Sequence, residues 1–248
     1  LIYIMLVSFA LAVQFLTRVP IHIKGNISNK NLGQSVLFYP VIGIAIGVAL
    51  VLITQLLPNT YPALTAAIIL SIWVMLTGGL HLDGLADCSD AWAGGLGNKE
   101  RSLSIMKDPA AGPIAVIMLV LLLLLKWTAL HSLLQQGQNL MPVLLAPFLG
   151  RVSILMLMLT TPYIRENGLG SAMQANLPKP AAQLILLSAL VLCFWLGNLP
   201  IVLTVLTAIF LIRHLALQRL QGVTGDVYGA SVEMIETVTL ISLVFTYE

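Results

Sequence analysis

Charged residues are scarce in this sequence. Asp, Glu, Lys and Arg together make up 9% of the 248 residues, whereas hydrophobic residues make up 58%. Soluble domains carry about 25% charged residues, and a mean hydropathy of +0.97 does not fit a chain surrounded by water. The composition therefore excludes an ordinary soluble globule and predicts an integral membrane protein.

The low net charge and the small number of cysteines exclude further classes of function. The net charge is only +2, which is too small for the basic surface of a nucleic-acid-binding protein. Only two cysteines are present, Cys88 and Cys193, and they form no C-x-x-C pair. This spacing predicts two free thiols, and it favours neither a disulfide framework nor a zinc site.

Long uncharged runs alternate with polar connections along the chain. A run of about 17 to 25 apolar residues is long enough to cross a bilayer as a helix. The pattern predicts an all-α, polytopic transmembrane bundle of about seven or eight spans in a single domain, residues 1–248; the first run is short enough to lie at the interface instead. The predicted spans are 1–17, 35–57, 62–80, 112–134, 140–161, 181–197, 199–216 and 229–247.

The connections between these runs alternate between uncharged and charged. Ten of the twelve Lys and Arg residues lie in or beside the charged connections, and only Lys126 and Arg151 fall inside apolar runs. The positive-inside rule places the charged connections in the cytoplasm, so we expect an active site on the cytoplasmic side of a bacterial inner membrane. The charged connections are 18–34, 81–111, 162–180 and 213–228, and the uncharged ones are 58–61, 135–139 and 198.

Three aspartates follow an uncharged run in the stretch GGLHLDGLADCSDAW, residues 78–92. Asp83, Asp87 and Asp90 are spaced i, i+4 and i+7, which places them on one face of an α-helix. Like charges on one face repel each other, and carboxylate oxygens are typical ligands of Mg²⁺ or Mn²⁺. The spacing predicts a divalent-metal site, with three solvated acids at a helix end as the alternative. His81 points to another face, where it is either an interfacial histidine or a substrate contact.

Basic residues follow the acids in the stretch GNKERSLSIMKDPAAGP, residues 97–113. Cationic side chains close to a metal site suit phosphate groups, which makes Arg101 and Lys107 candidate phosphate ligands, with Asp108 beside them. The alternative is that Lys99 and Arg101 only mark a cytoplasmic loop, since topology alone explains basic loops.

A second group of acids lies near the start of the last apolar run. Asp226, Glu233 and Glu236 fall close to one stripe of a helix. Ionisable groups near the bilayer require partners, which are either the metal site or Lys126 and Arg151 in neighbouring helices. We expect Asp226 and Glu233 to approach the aspartate face of the first group.

Other positions leave two interpretations open. Arg165 and Glu166 lie in a Gly-rich loop and either line the substrate mouth or are simply solvated. Arg151 suits bidentate recognition of phosphate or carboxylate, but an internal ion pair explains it equally well. For Asp226 the alternative to the metal site is a solvent-exposed pair with Arg219.

These segments resemble the cobalamin synthase family. The similarity covers almost the whole chain and keeps the order of the motifs. Two details depart from the commonest form of the motifs: Pro109 and Pro113 follow the IMKD stretch, and Ala91 follows the third aspartate. The similar segments are QFLTRVP at 14–20, SVLFYPVIGIAIG at 35–47, GGLHLDGLADCSDAW at 78–92, ERSLSIMKDPAAGP at 100–113, PYIRENGLGSAM at 162–173 and GVTGDVYGASVEMIE at 222–236.

The resemblance implies an Mg²⁺-dependent membrane enzyme that joins adenosylcobinamide-GDP to α-ribazole, or to its 5′-phosphate. The products would be adenosylcobalamin, or its phosphate, and GMP. The aspartates would then hold Mg²⁺ against the pyrophosphate, and the basic side chains would offset charge on the departing GMP. The catalytic candidates are Asp83, Asp87, Asp90 and Lys107, and the first three are also the metal ligands. The substrate-binding candidates are His81, Arg101, Asp108, Arg151, Arg165, Asp226 and Glu233.

The expected partners are the two substrates and the lipid bilayer, without nucleic acid; a second copy of the chain or a complex with other pathway enzymes is left open. A CDP-alcohol phosphatidyltransferase is a rival, because it also clusters aspartates on helices at the cytoplasmic face, but its fuller D-G-x-x-A-R pattern is absent. A cation transporter is a second rival, which would require inverted repeats. Release of GMP distinguishes the three.

Overall fold

Helices make up the regular structure of this chain. The computed structural model describes residues 2–23, 25–58, 60–137, 140–166 and 168–246, and within these residues no β-strand is present. The predicted all-α class is confirmed. The helices are α1 (Ile2–Leu16), α2 (Asn29–Ser35), α3 (Tyr39–Leu56), α4 (Pro62–Thr77), α5 (Leu80–Gly94), α6 (Lys99–Ile105), α7 (Pro113–Gln135), α8 (Met141–Thr160), α9 (Leu169–Ala175), α10 (Lys179–Leu220) and α11 (Gly225–Thr246), with a 3₁₀ turn at Val36–Phe38.

Six helical segments are long and apolar enough to cross a membrane, and a seventh is added if the bent pair α4–α5 is one span. The polytopic bundle is thereby confirmed, with six or seven candidate spans where seven or eight were predicted. The first run forms the 15-residue helix α1, which is shorter than a full span requires. The six segments are Asn29–Leu56, Pro113–Gln135, Met141–Thr160, Lys179–Leu196, Asn198–Leu220 and Gly225–Thr246.

A sharp bend separates α4 from α5. The two helices meet at 90°, so the span predicted at 62–80 ends at Thr77. Gly78 and Gly79 both have φ of 71°, a left-handed conformation that glycine adopts without steric cost. Two perpendicular helices cannot both stand along the bilayer normal, and α5 carries the three aspartates. α5 therefore does not continue the direction of α4.

The chain reverses in the middle of α10. Asn198 has φ of 72° and ψ of 174°, and Pro200 follows it without an N–H for the helical ladder. Residues from both sides of this break, including Cys193 and Val202, line one apolar cavity against α8. The two segments therefore lie side by side, in agreement with the predicted uncharged connection at 198.

The centre of the bundle is formed by α8 and α11. Within one apolar 18-residue stretch of each helix, 78% of the residues are buried in α8 and 72% in α11, but only 22% in α7. α11 packs against α5, α7, α8 and α10, and α8 also packs against α3. The beginning of α11 is consequently enclosed by neighbours, and this arrangement brings Asp226 to α5.

Candidate active site

The acid-bearing face of α5 meets the first turn of α11 at two glycines. A Cβ atom added to Gly84 would lie 2.7 Å from the carbonyl oxygen of Asp226, and one added to Gly229 would lie 3.2 Å from the Cα of His81. Small residues at a helix contact allow the backbones to approach closely. Gly84 and Gly229 therefore allow α11 to hold Asp226 against α5.

Three carboxylates come together at this contact, and we refer to Asp83, Asp87 and Asp226 as the acidic cluster. Asp83 is exposed, and the other two are partly buried. Partial burial raises the pKa of Asp87 to about 6, and the charges of Asp226 and Asp83 add to the rise. The charge of Asp90 acts on Asp87 more weakly than those of the other two. The crowding of negative charge predicted from the spacing is present, and Asp226 lies at this face, as expected.

Arg165 approaches the acidic cluster from the loop that follows α8. Its Nη2 lies 2.6 Å from Oδ2 of Asp226, so Asp226 is paired with Arg165 and not with Arg219. Two backbone hydrogen bonds hold the loop: Ile164 N–H donates to the Val223 carbonyl at 3.0 Å, and Val223 N–H donates to the carbonyl of Pro162 at 2.9 Å. The buried Nε–H of Arg165 has no partner among the described residues, which leaves a donor for an anion.

Asp90 lies against the start of α7. Its Oδ2 accepts the N–H of Gly112 at 2.6 Å, and its Oδ1 accepts the N–H of Ala115 at 2.9 Å. The first N–H groups of a helix have no partner within the helix, and a carboxylate there is stabilising. Each oxygen of Asp90 therefore accepts one backbone N–H and holds the 108–113 turn against α5, and its role as a metal ligand stays a prediction.

The predicted phosphate ligands lie on the exposed side of the same region. Arg101, Lys107 and Asp108 are all exposed. Asp108 accepts the N–H of Ala110 at 3.0 Å, which closes a local turn. Lys107 follows Met106, whose carbonyl accepts a 3.4 Å hydrogen bond from Arg165. The backbone next to Lys107 therefore lies close to Arg165. Among the described residues, no hydrogen bond or ion pair joins Arg101 or Asp108 to Arg165.

A second group of charges lies inside the bundle, and we refer to Lys126, Arg151, Glu233 and Glu236 as the buried ion cluster. Lys126 Nζ lies 2.6 Å from a carboxylate oxygen of each glutamate, and Arg151 Nη1 is paired with Glu236. All four residues are buried, and Lys126 Nζ lies 4.9 Å from the centroid of the Trp73 ring. The internal ion pairs given as the alternative for Arg151 and Glu233 are therefore present, and a substrate contact of either residue stays a prediction.

His81 is buried beside the acidic cluster and lines a cavity of about 240 Å³. Asp83 and Asp226 lie on the wall of the same cavity, together with Tyr163 and Tyr228. These two tyrosines are not among the sites predicted from the sequence. A signal was present in the chain, since Tyr163 precedes Arg165 by two residues and Tyr228 follows Asp226 by two.

Comparison with known proteins identifies the family. The family model described as cobalamin-5-phosphate synthase matches residues 8–244. This chain belongs to the cobalamin-5-phosphate synthase family. The resemblance predicted from the motifs is confirmed. No solved structure shows a significant match to the chain.

Three relatives of this cobalamin-5-phosphate synthase family member are named adenosylcobinamide-GDP ribazoletransferase. The relative from Pseudomonas putida (strain GB-1) is 46% identical over 238 residues, which cover 96% of this chain and 98% of the relative. The relative from Pseudomonas aeruginosa (strain UCBPP-PA14) is 48% identical and covers 95% and 97% of the two chains. The relative from Ectopseudomonas mendocina (strain ymp) is 48% identical and covers 94% and 96%. The similarity therefore extends over nearly the whole of each chain.

The acidic cluster suits a magnesium ion that is held jointly with a substrate. In the described part of the chain no group of three or more His, Cys, Asp or Glu side chains forms a ready-made metal cage. Mg²⁺ is usually bound by one or two carboxylates together with waters and substrate phosphates. Asp83 and Asp87, one turn apart on α5, supply two such carboxylates. These two carboxylates are the donors that α5 offers to a cation shared with a substrate phosphate.

Proposed function

We propose that this chain is a membrane-bound transferase that joins adenosylcobinamide-GDP to α-ribazole, or to its 5′-phosphate, and releases GMP. The observation that carries the proposal is the acidic cluster with Arg165 beside it, in a chain whose relatives carry the name adenosylcobinamide-GDP ribazoletransferase. In this reaction a ribose hydroxyl attacks the phosphorus that bears the cobinamide. The bond from that phosphorus to the GMP oxygen breaks, and the hydroxyl loses its proton.

The residues at the site match the demands of that step. Asp83 and Asp87 would hold Mg²⁺, which when bound neutralises negative charge on the diphosphate. Arg165 offers its free Nε–H to a phosphate oxygen, as guanidinium groups commonly do. A carboxylate of the acidic cluster that does not bind the metal accepts the hydroxyl proton. Lys107, exposed and next to this region, offsets charge on the departing GMP.

The location of the reaction is also part of the proposal. The charged connections carry ten of the twelve basic residues, and basic connections remain in the cytoplasm. The acidic cluster lies at the junction of these connections, on α5 and the first turn of α11. We accordingly place the site on the cytoplasmic side of the inner membrane, where a nucleotide-linked substrate is available.

An assay of GMP release tests the proposed function. Detergent-purified protein is given adenosylcobinamide-GDP, α-ribazole and Mg²⁺, and GMP is quantified by chromatography. We expect GMP release that stops when a chelator removes the metal. Asp87→Asn should lower turnover by about 100-fold or more, because it removes one of the two carboxylates proposed to hold Mg²⁺ against the diphosphate.

The control for this variant is Glu100→Gln, which removes one acid from an exposed position of α6. It should keep the turnover of the wild-type protein. Undiminished GMP release by Asp87→Asn would remove that residue from the site. Absence of GMP release by the wild-type protein with both substrates and Mg²⁺ present would refute the proposed reaction.

A further inference from the structure

The cavity that contains His81 extends inward from the acidic cluster. Its volume is about 240 Å³, and Asp83 and Asp226 form part of its lining. Asp83 is exposed, whereas His81 is only 4% exposed. The cavity thus joins the acidic cluster to a largely enclosed interior, and a ligand in it would present one end to the acids.

Four of the sixteen residues that line this cavity carry Phe or Tyr rings. The rings of Tyr163 and Tyr228 are stacked, with centroids 6.0 Å apart and an interplanar angle of 24°. The rings of Phe15 and Tyr39 are stacked at 6.3 Å and 13°. All four residues line the cavity. Aromatic surfaces of this kind favour a flat aromatic ligand, which can stack against them or meet them edge to face.

Two buried polar atoms on the lining residues have no partner. They are the hydroxyl of Tyr228 and Nδ1 of His81, and neither has a hydrogen-bond partner among the described residues. Tyr228 is 6% exposed and His81 is 4% exposed. Buried polar groups are nearly always hydrogen-bonded, and an unpaired one requires an explanation. A ligand that carries one or two polar atoms on an aromatic frame would satisfy them.

We infer that this cavity is the subsite for the base of α-ribazole, an inference that rests on the proposed function. The benzimidazole base is flat, bicyclic and largely apolar, and the ring nitrogen that is not bonded to the ribose is a hydrogen-bond acceptor. The Tyr228 O–H donates to that nitrogen while the rings of Tyr163 and Tyr39 contact the faces or edges of the base. The ribose then lies at the end occupied by Asp83 and Asp226, where its hydroxyl is to lose a proton.

The other substrate fits this cavity poorly. Sites for drug-sized ligands enclose roughly 300–1,000 Å³, so a cavity of about 240 Å³ is too small for a corrin ring. Guanine carries several donors and acceptors around its edge, and each would require a partner when buried. Two buried side-chain atoms on the described lining lack a partner, the Tyr228 hydroxyl and His81 Nδ1, and they are fewer than the edge of guanine requires. The base of α-ribazole matches both the size and the sparse polarity.

The test compares Tyr228→Phe with the matched control Tyr61→Phe, in which the hydroxyl is removed from an exposed tyrosine. Steady-state GMP release is measured as each substrate is varied in turn. Tyr228→Phe should raise the KM for α-ribazole by about two- to tenfold, the effect of one lost hydrogen bond, and leave the KM for adenosylcobinamide-GDP unchanged. Its melting temperature should be equal or higher, because the hydroxyl has no partner to lose.

A second measurement uses the wild-type protein and does not depend on how a variant folds. Free benzimidazole, which has the ring system without the ribose, should inhibit competitively against α-ribazole and not against adenosylcobinamide-GDP. An unchanged KM for α-ribazole in Tyr228→Phe, or benzimidazole that competes only with adenosylcobinamide-GDP, would overturn the subsite while GMP release continues. Absence of GMP release from the wild-type protein would instead overturn the proposed function itself.

Discussion

Removing one charge from the buried ion cluster should destabilise the bundle strongly. Its two cations and two carboxylates cancel, and Lys126 is bonded to both glutamates. Lys126→Met would leave one uncompensated negative charge among residues that are all buried. Breaking a buried ion pair from one side costs about 3–5 kcal/mol, chiefly because the remaining charge stays buried. We expect a loss of that size in the free energy of unfolding.

The double variant Lys126→Met/Glu233→Gln tests the cause of this loss. It restores neutrality, since Glu236 keeps its pair with Arg151. Replacement of both partners of a buried pair is often close to neutral. The double variant should therefore be more stable than Lys126→Met alone by at least about 2 kcal/mol, because the uncompensated buried charge is gone.

The measurement is an SDS titration of the protein in dodecylmaltoside, followed by tryptophan fluorescence. Trp73 is a suitable reporter because its ring centroid lies 4.9 Å from Lys126 Nζ. Lys179→Met, at an exposed lysine that begins α10, is the matched control and should change stability little. The reasoning is refuted if Lys126→Met costs less than about 1 kcal/mol, or if the double variant loses the sum of the two single losses.

Two further predictions concern helix anchoring and topology. Asp90→Asn should lower stability by about 1 kcal/mol because it weakens the bonds to the start of α7, but GMP release should keep its Mg²⁺ dependence; a lost dependence would assign Asp90 to the metal site instead. After replacement of Cys88 and Cys193 by alanine, an impermeant maleimide applied from outside should label Gly137→Cys and not Asn98→Cys. Labelling of Asn98→Cys alone would invert the topology.

Much of the fold could be predicted from the sequence, because the length of an apolar run decides whether a helix can cross a bilayer. The separate spans on either side of Asn198 follow from that rule. The sequence does not predict the angle between two consecutive helices. The 90° bend after Thr77 depends on the left-handed conformation of Gly78 and Gly79, and a glycine pair in a sequence is equally compatible with a straight helix that packs closely.

In the candidate site, the sequence likewise predicts which neighbouring residues share a helix face, but not which residues far apart in the chain come into contact. Asp83 and Asp87 share a face because helical periodicity is local. The partners of Asp90 are backbone N–H groups more than twenty residues later, and no spacing rule connects them. The cavity lined by Tyr163 and Tyr228 likewise depends on the packing of α11, which a single sequence does not reveal. Of the two partners that the sequence leaves open for Glu233, the structure shows Lys126.

The position of Asp226 on the last described helix also has a consequence for the synthesis of the protein. α5 leaves the ribosome long before α11, so a growing chain carries Asp83 and Asp87 without the third member of the acidic cluster. The same helix brings Glu233 and Glu236, the counter-charges of Lys126 and Arg151. If the acidic cluster is the active site, as proposed, activity requires the insertion of α11. A chain that stops before α11 would lack Asp226 and also the two glutamates that pair with Lys126 and Arg151.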